Sequence, residues 1–454
     1  MASSRKSKRS KRVSSHLTAE VAAGLQTVLR PGDRLLLGLS GGVDSIVLLD
    51  VLAGLASGLN FELHTLHVNH QLSSNAARWA KFCREVCREI GVPCRVVKVE
   101  VARGNSAERA AREARYAAFR KFDADYIALA HNADDQAETV LLQLLRGAGV
   151  KGLAAMPFLR CDESARPVIM RPLLDVPRAE IERYAKRHKL AWVEDESNAC
   201  TSYLRNWLRH DLMPRIASRV PGYRATLTRA ARNFAEAAAL LEDLARADAA
   251  DALQKEKIAV ERLRELSVGR AKNVLRLLIA SRGWPMPEAE RLEEALRQAL
   301  TARGDAKLLV DLGGCVLRRH GAMVYLLPVR SQSVDDAVVT WGGESEIRLP
   351  SLGGVLAMTP ARGTGLSTGQ LQSGPVTIRA RTGGERLQPA ANRPRRTVKN
   401  LLQEADMPVW ERDRLPFIYC GDTLACVPGV AIDYRFQARR GEASILPQWL
   451  TLDP

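Results

Sequence analysis

"LLLGLSGGVDSIVLLDVL" (residues 35–52) passes from one apolar run into another through Ser40, Gly41, Gly42, Asp44 and Ser45. Both flanks belong in a core: Leu35–Leu39 reads as a buried strand and Ile46–Leu52 as a helix. A turn between them needs one glycine, so the serine-bracketed pair and the acid need a further reason. At a strand-to-helix junction the first amides of the helix lack partners and point outward. With the helix dipole they attract an anion. Gly41 and Gly42 let the backbone curl and let a phosphate approach without a Cβ in the way. Ser40 and Ser45 add hydroxyls, and the Val43 amide completes a candidate phosphate loop over 40–45.

The pattern G-x-x-x-x-G-K-[ST] fails here, because Val43 and Asp44 stand where the second glycine and the lysine belong. Transfer of a γ-phosphoryl group is therefore poorly served. An acid at that place suits a Mg²⁺ that accompanies pyrophosphate. The competing reading is a tight turn with Asp44 favouring the helix start.

Outward from the loop, strands are predicted at 34–39, 61–68, 94–99 and 126–130, with another near 168–171. Helices are predicted at about 44–57, 76–90, 106–122 and 134–146, the third started by Asn105 with Glu108. This alternation predicts an α/β fold, a doubly wound parallel sheet with ligands at the carboxyl ends of its strands. The predicted organisation is a basic disordered tail at 1–20, the nucleotide domain at 21–215, and a helical and mixed middle domain at 216–358. A Gly/Ser/Thr-rich linker at 359–374 and a small basic mixed domain at 375–445 follow.

The chain has 454 residues, 46% hydrophobic and 26% charged, which fits a soluble protein of two to four domains. Its apolar runs fall short of the roughly 20 residues that span a bilayer. Against 51 acidic residues stand 67 Lys and Arg, a net charge of +16. That surplus favours a polyanionic partner, RNA or DNA before membrane. Cysteines 83, 87, 94, 161, 200, 315, 420 and 426 include no CxxC pair, which argues against zinc-ribbon and iron–sulfur sites and fits a reduced compartment. The opening MASSRKSKRSKR has six basic side chains, no acid and no apolar signal core.

The segment SGGVDS resembles the pyrophosphate loop of the N-type ATP pyrophosphatases, or PP-loop superfamily, which cleave ATP to AMP and pyrophosphate while adenylating a substrate. With "LHVNHQL" (66–72), "ERAAREARY" (108–116) and "AHNADDQAETVLLQLLRG" (130–147), the chain resembles the tRNA(Ile)-lysidine synthetases. "RTGGERLQP", "KNLLQEADMPVWERDRLPFIY" and "VPGVAIDYRF" resemble that family's terminal domain. The likeness covers about 30–215 and 375–440. One departure is Ser73, where the family usually has arginine after "HVNHxL"; Arg78 is the substitute at hand.

The resemblance implies a cytoplasmic ATP-dependent ligase. It adenylates C2 of the wobble cytidine in the CAU anticodon of an isoleucine tRNA, and the ε-amine of free L-lysine then displaces AMP. ATP and Mg²⁺ are the implied cofactors. Phosphates fall to Ser40, Gly41, Gly42, Val43, Asp44 and Ser45, and Mg²⁺ to Asp44 and Asp134. Lysine, or its proton, falls to the cluster Asp134, Asp135 and Glu138, and the α-phosphate to Arg112. Arg115 and Tyr116 lie beside Arg112; an exposed charged face is the alternative for that helix. His67, Asn69, Val68 and His131 are expected around the adenosine. Arg205, Asn206 and Arg209 are expected near the target nucleotide. Arg393, Arg395, Arg396 and Lys399 are expected on the tRNA body; Trp410 and Tyr419 are expected in the core. Rival readings are a tRNA 2-thiolating enzyme, which wants a reactive cysteine set, and a non-catalytic tRNA-binding protein. The sequence leaves the choice between monomer and homodimer open.

Overall fold

A computed structural model describes residues 16–71, 73–100, 107–162, 165–194, 204–249, 257–303, 308–329 and 338–451. Most of the basic tail, Asn105 and the polar loop 195–203 lie outside the described residues. The chain forms two compact units, 1–244 and 245–454.

The first unit runs α1 (His16–Gln26), β1 (Arg34–Gly38), α2 (Val43–Leu59), β2 (Glu62–Asn69), α3 (Ala76–Ile90), β3 (Cys94–Lys98), α4 (Ala107–Arg120), β4 (Tyr126–Ala128) and α5 (Ala133–Leu145). It continues through α6 (Val150–Leu153), β5 (Leu159–Asp162), β6 (Ala165–Met170) and α7 (Arg178–Arg187). The sheet order is β3-β2-β1-β4-β6-β5. All five predicted strands form and pair in parallel.

The unbroken apolar run of β1 has a simple cause. Leu35, Leu37 and Leu39 enter one core with Val47, Leu48 and Ile181, while Leu36 enters a second with Phe119 and Ile127 on the other face. Strand side chains alternate, so a strand covered on both faces shows no polar positions. From β1 the chain steps outward to β2 and β3, then returns to β4 on β1's other side. The two strand ends flank the switch point, where such sheets open a crevice.

The expected parallel sheet forms, with one strand more: at its edge β5 pairs antiparallel with β6. Two expectations are corrected. The "linker" stretch is folded: a strand continues to Arg362, Leu366–Ser367 joins the same sheet, and Leu366, Ser367 and Leu371 are buried. Its glycines are turn positions, Gly363 and Gly365 having φ of +73° and +95°. The tail stops earlier than residue 20, because α1 begins at His16 and buries Leu17.

After residue 203 come α8 (Leu204–Trp207), a π-helical turn at Leu208–Leu212, α9 (Met213–Arg219) and α10 (Tyr223–Ala249). Pro214 supplies no amide to the preceding turn, which accounts for the widened register there. The second unit packs helices Val268–Ser281 and Ala289–Thr301 on a four-stranded sheet around Leu275, Leu296 and Leu317. It adds a five-stranded and a four-stranded antiparallel sheet with Leu356, Ile378 and Ile418 in one core. Among the described residues no helix is long and apolar enough to cross a membrane.

Candidate active site

The loop between β1 and α2 is held from below. The Leu39 amide donates to the Leu66 carbonyl at 3.0 Å, and His67 Nδ1 meets the Leu39 carbonyl at 2.9 Å. Burial keeps His67 below the ordinary imidazole range. Gly41 sits at φ +92°, a conformation side-chain-bearing residues avoid. The Gly41 and Gly42 amides donate to Ser45 Oγ and Ser40 Oγ at 3.1 and 3.3 Å, and Ser40 Oγ donates to Ser45 Oγ at 3.0 Å. The two hydroxyls thus occupy amides that a phosphate oxygen would use. Gly42 caps α2 with extended backbone and no side-chain bond, leaving that helix start open to an anion.

Asn132 ties this loop to the end of β4. Its Oδ1 accepts from the Asp134 and Asp135 amides at 3.0 and 3.1 Å, capping α5, while its Nδ2 donates to Asp44 Oδ1 at 3.0 Å. Burial raises the Asp44 carboxyl, the nearby Asp135 charge adds to this, and Arg178 and Asn132 oppose it.

Four arginines face four acids. Arg178 Nη1 donates to Asp44 Oδ2 at 2.9 Å, and its amide donates to Asp134 Oδ2 at 3.0 Å. Arg224 Nε donates to Asp134, its guanidinium lying 4.7 Å from the Tyr223 ring centre. Arg209 donates to Asp135 at 2.9 Å and to Glu138 at 2.6 and 2.9 Å. Arg205 donates to Glu138 at 3.1 Å. Glu138 is 2% exposed. Burial lowers Arg209, but Glu138, Asp135 and Asp44 outweigh it and raise the group overall. A cavity of about 510 Å³ opens beside them, lined by Asp134, Glu138, Arg209, Met213, Tyr223 and Arg224 among others.

The remaining expected residues are spread along the same edge or away from it. His131 Nδ1 is buried without a partner among the described residues, and burial lowers the ring to about 4. Arg112 is exposed on α4, 5.3 Å from the Tyr116 ring centre, and its charge reaches His131. Arg115 Nη2 lies 3.5 Å from His70 Nε2. Val68 is half-buried beside the Leu66 core, and Asn69 Oδ1 accepts from the Gln71 amide at 2.8 Å. Asn206 is half-buried on α8. Ser73 Oγ accepts from the Asn75 amide at 3.1 Å at the entry to α3, while Arg78 is exposed on its first turn.

In the second unit Arg396 pairs with Glu404 through both terminal nitrogens, and Arg395 Nη2 donates to the Arg386 carbonyl at 3.3 Å. Lys399 is exposed. Trp410 is half-buried, with Arg318 5.2 Å and Tyr325 5.1 Å from its ring.

Sequence reasoning did not find Asn132, Arg171, Arg178 or Arg224. Arg178 carried a signal: a cation in the first turn of a helix opposes the helix dipole and so needs an acid nearby. Arg171, directly after β6, is fully buried and donates to the Pro157 carbonyl at 2.7 Å.

A phosphate loop at the switch point of a parallel sheet, with an acid in place of the P-loop lysine, defines an ATP-using enzyme of the PP-loop class. The PP-loop domain family matches residues 12–216, the TilS substrate-binding domain 259–325 and the TilS substrate C-terminal domain 376–449. The tRNA(Ile)-lysidine synthase of Nitrosomonas europaea is 42% identical over 94% of this chain and 93% of its own length. Those of Chromobacterium violaceum and Coxiella burnetii are 42% and 36% identical over 89% and 92% of this chain, and over 93% of their own lengths. The chain belongs to the tRNA(Ile)-lysidine synthase family of ATP-dependent ligases.

Proposed function

We propose that this enzyme adenylates C2 of the wobble cytidine in a CAU-anticodon isoleucine tRNA and then joins free L-lysine there, releasing pyrophosphate and AMP. It acts in the cytoplasm. The observation that carries the reading is the junction at the switch point, where Asn132 bonds the phosphate loop to the acid-bearing helix start.

The amides of 41–45 and the hydroxyls of Ser40 and Ser45 orient the triphosphate. Asp44 and Asp134 would hold Mg²⁺, which neutralises charge on the departing pyrophosphate. Among the described residues no three His, Cys, Asp or Glu side chains form a metal cage. The Asp44 and Asp134 carboxylates are hard oxygen donors of the kind Mg²⁺ takes in ones and twos; Asn132, Arg178 and Arg224 now occupy them and would have to yield to the ion. His131, neutral through burial, offers the nucleotide a hydrogen bond without adding charge. Arg112 meets the α-phosphate as the C2 oxygen attacks it.

Lysine enters the cavity beside Glu138. Met213, Pro214, Ala217 and Tyr223 suit its aliphatic stem, and both signs of charge on the wall suit a zwitterion with a cationic tail. A lysine ε-amine in water titrates near pH 10.4, so only about one in a few thousand is neutral at pH 7. Asp134, Asp135 and Glu138 supply a carboxylate to take the proton before the amine attacks C2 and AMP leaves. Arg205 and Arg209 spend hydrogen bonds on these acids, so any contact they make with tRNA competes with that pairing.

The test is incubation with ATP, Mg²⁺, labelled lysine and tRNA. Label should enter RNA only with ATP and a CAU anticodon. Asp44→Ala should abolish AMP formation and keep tRNA binding; loss of tRNA binding with AMP formation retained would overturn the assignment.

A further inference from the structure

Three thiols lie along α3 and the start of β3, and none takes part in the chemistry above. Cys83 and Cys87 sit one turn apart on the inner face of α3, both fully buried, and Cys94 opens β3 partly exposed. A tight helix end returns the chain: the Gly91 and Val92 amides both donate to the Cys87 carbonyl, at 2.8 and 2.9 Å. Cys94 then lies opposite Thr65 in the parallel register. Thr65 Oγ1 is 3.3 Å from Cys87 Sγ, so the side chain of this one residue touches Cys87 while its strand position pairs with Cys94. The Cys87 thiol, aided by Thr65 and the Arg84 charge, draws Cys94 down to about 6 against the effect of burial. Cys87 moves the other way.

We propose that Cys94 and Cys87 form a peroxide-responsive dithiol whose closure to a disulfide loosens the phosphate loop. The Cys94 thiolate attacks hydrogen peroxide, breaking its O–O bond and giving a sulfenic acid and hydroxide. The Cys87 sulfur then attacks the Cys94 sulfur, forming the S–S bond; the sulfenic oxygen departs with the Cys87 proton as water. Peroxide is the oxidant, and the two thiols supply both electrons. A disulfide bond is about 2.05 Å long, shorter than any contact between two free thiols, so closure draws the end of α3 toward β3. Cys83, one turn earlier, moves with it. A Cβ placed on Gly41 would lie 3.2 Å from Cys83 Sγ, so this helix face packs directly against the loop.

The coupling to the loop rests on residues 40–45 binding ATP; the dithiol chemistry does not. The full chain is treated with a small excess of hydrogen peroxide and digested with trypsin without reductant. The expected product is EVCR (85–88) linked to EIGVPCR (89–95), lighter by two hydrogens and separated by dithiothreitol. ATP affinity should fall about tenfold on oxidation and recover on reduction, the equivalent of roughly 1.4 kcal/mol. Cys94→Ser, and separately Cys87→Ala, should bind ATP like the reduced wild type and ignore peroxide. Oxidation of exposed Cys161 while Cys87 and Cys94 stay free thiols would overturn the dithiol. A linked peptide with unchanged ATP affinity would overturn the coupling. Reduced protein that binds no ATP would instead refute the loop reading, leaving the linked peptide to decide the dithiol.

Discussion

Glu138→Gln separates the two half-reactions. The Glu138 carboxylate accepts three guanidinium hydrogen bonds, at 2.6, 2.9 and 3.1 Å, and is 2% exposed. Glutamine keeps the shape, removes the charge, and turns an amide donor toward two cations. Hydrogen bonds to charged groups contribute about 1.5–3 kcal/mol each. Arg205 and Arg209 are 31% and 32% exposed and can rehydrate, so the whole loss of stability should be about 2–4 kcal/mol rather than the sum. If the carboxylate also receives the lysine ammonium or its proton, a further 2–3 kcal/mol is lost from the second step, about 30- to 150-fold in kcat/KM for lysine. The assay compares lysine incorporation with tRNA-dependent pyrophosphate release, and thermal melting confirms folding. Pyrophosphate release should stay within about threefold of wild type. A folded variant whose kcat/KM for lysine is also within that range would refute the role of Glu138.

Gly41→Ala forces a Cβ to 2.9 Å from Val193 Cγ2 at φ +92°; about 1–3 kcal/mol of strain should lower the melting temperature and abolish pyrophosphate release. His131 and His70 are both lowered to about 4 by burial, so the unfolded chain binds more protons between about pH 6.5 and 4. Stability is therefore present above pH 6.5 and falls as the medium is acidified, by roughly 1 kcal/mol per pH unit for His131. Denaturant melts across that window should show the slope, and His131→Asn should reduce it, leaving the His70 part. On the second unit, Arg395→Ala should lower the salt dependence of tRNA binding by about one unit. Arg396→Ala should lower it less, because Glu404 already neutralises that guanidinium; equal slopes in filter binding would contradict this.

The phosphate loop and its strand were legible because they are local: an apolar strand, a helix start and the glycines between them follow directly from chain order. The acids Asp134, Asp135 and Glu138 were legible for the same reason, opening a helix after a strand. Their arginines were not. Arg178 meets Asp44 across 134 residues and Arg209 meets Glu138 across 71, and no periodicity encodes such pairs. The edge strand β5 was missed because "FLRCDESARPVIM" mixes charges with a short apolar run, as edge strands do. The stretch at 359–374 looked like a linker because its glycines suggest freedom. In the fold they make turns around buried Leu366.

Asn132 has one small amide and three obligations: two backbone donors of α5 and the Asp44 carboxylate. It works as a keystone between two arms of the crevice that are 88 residues apart in the chain. A shift of either arm is therefore felt at the other, and Arg178 doubles the link by bonding Asp44 through its guanidinium and Asp134 through its amide.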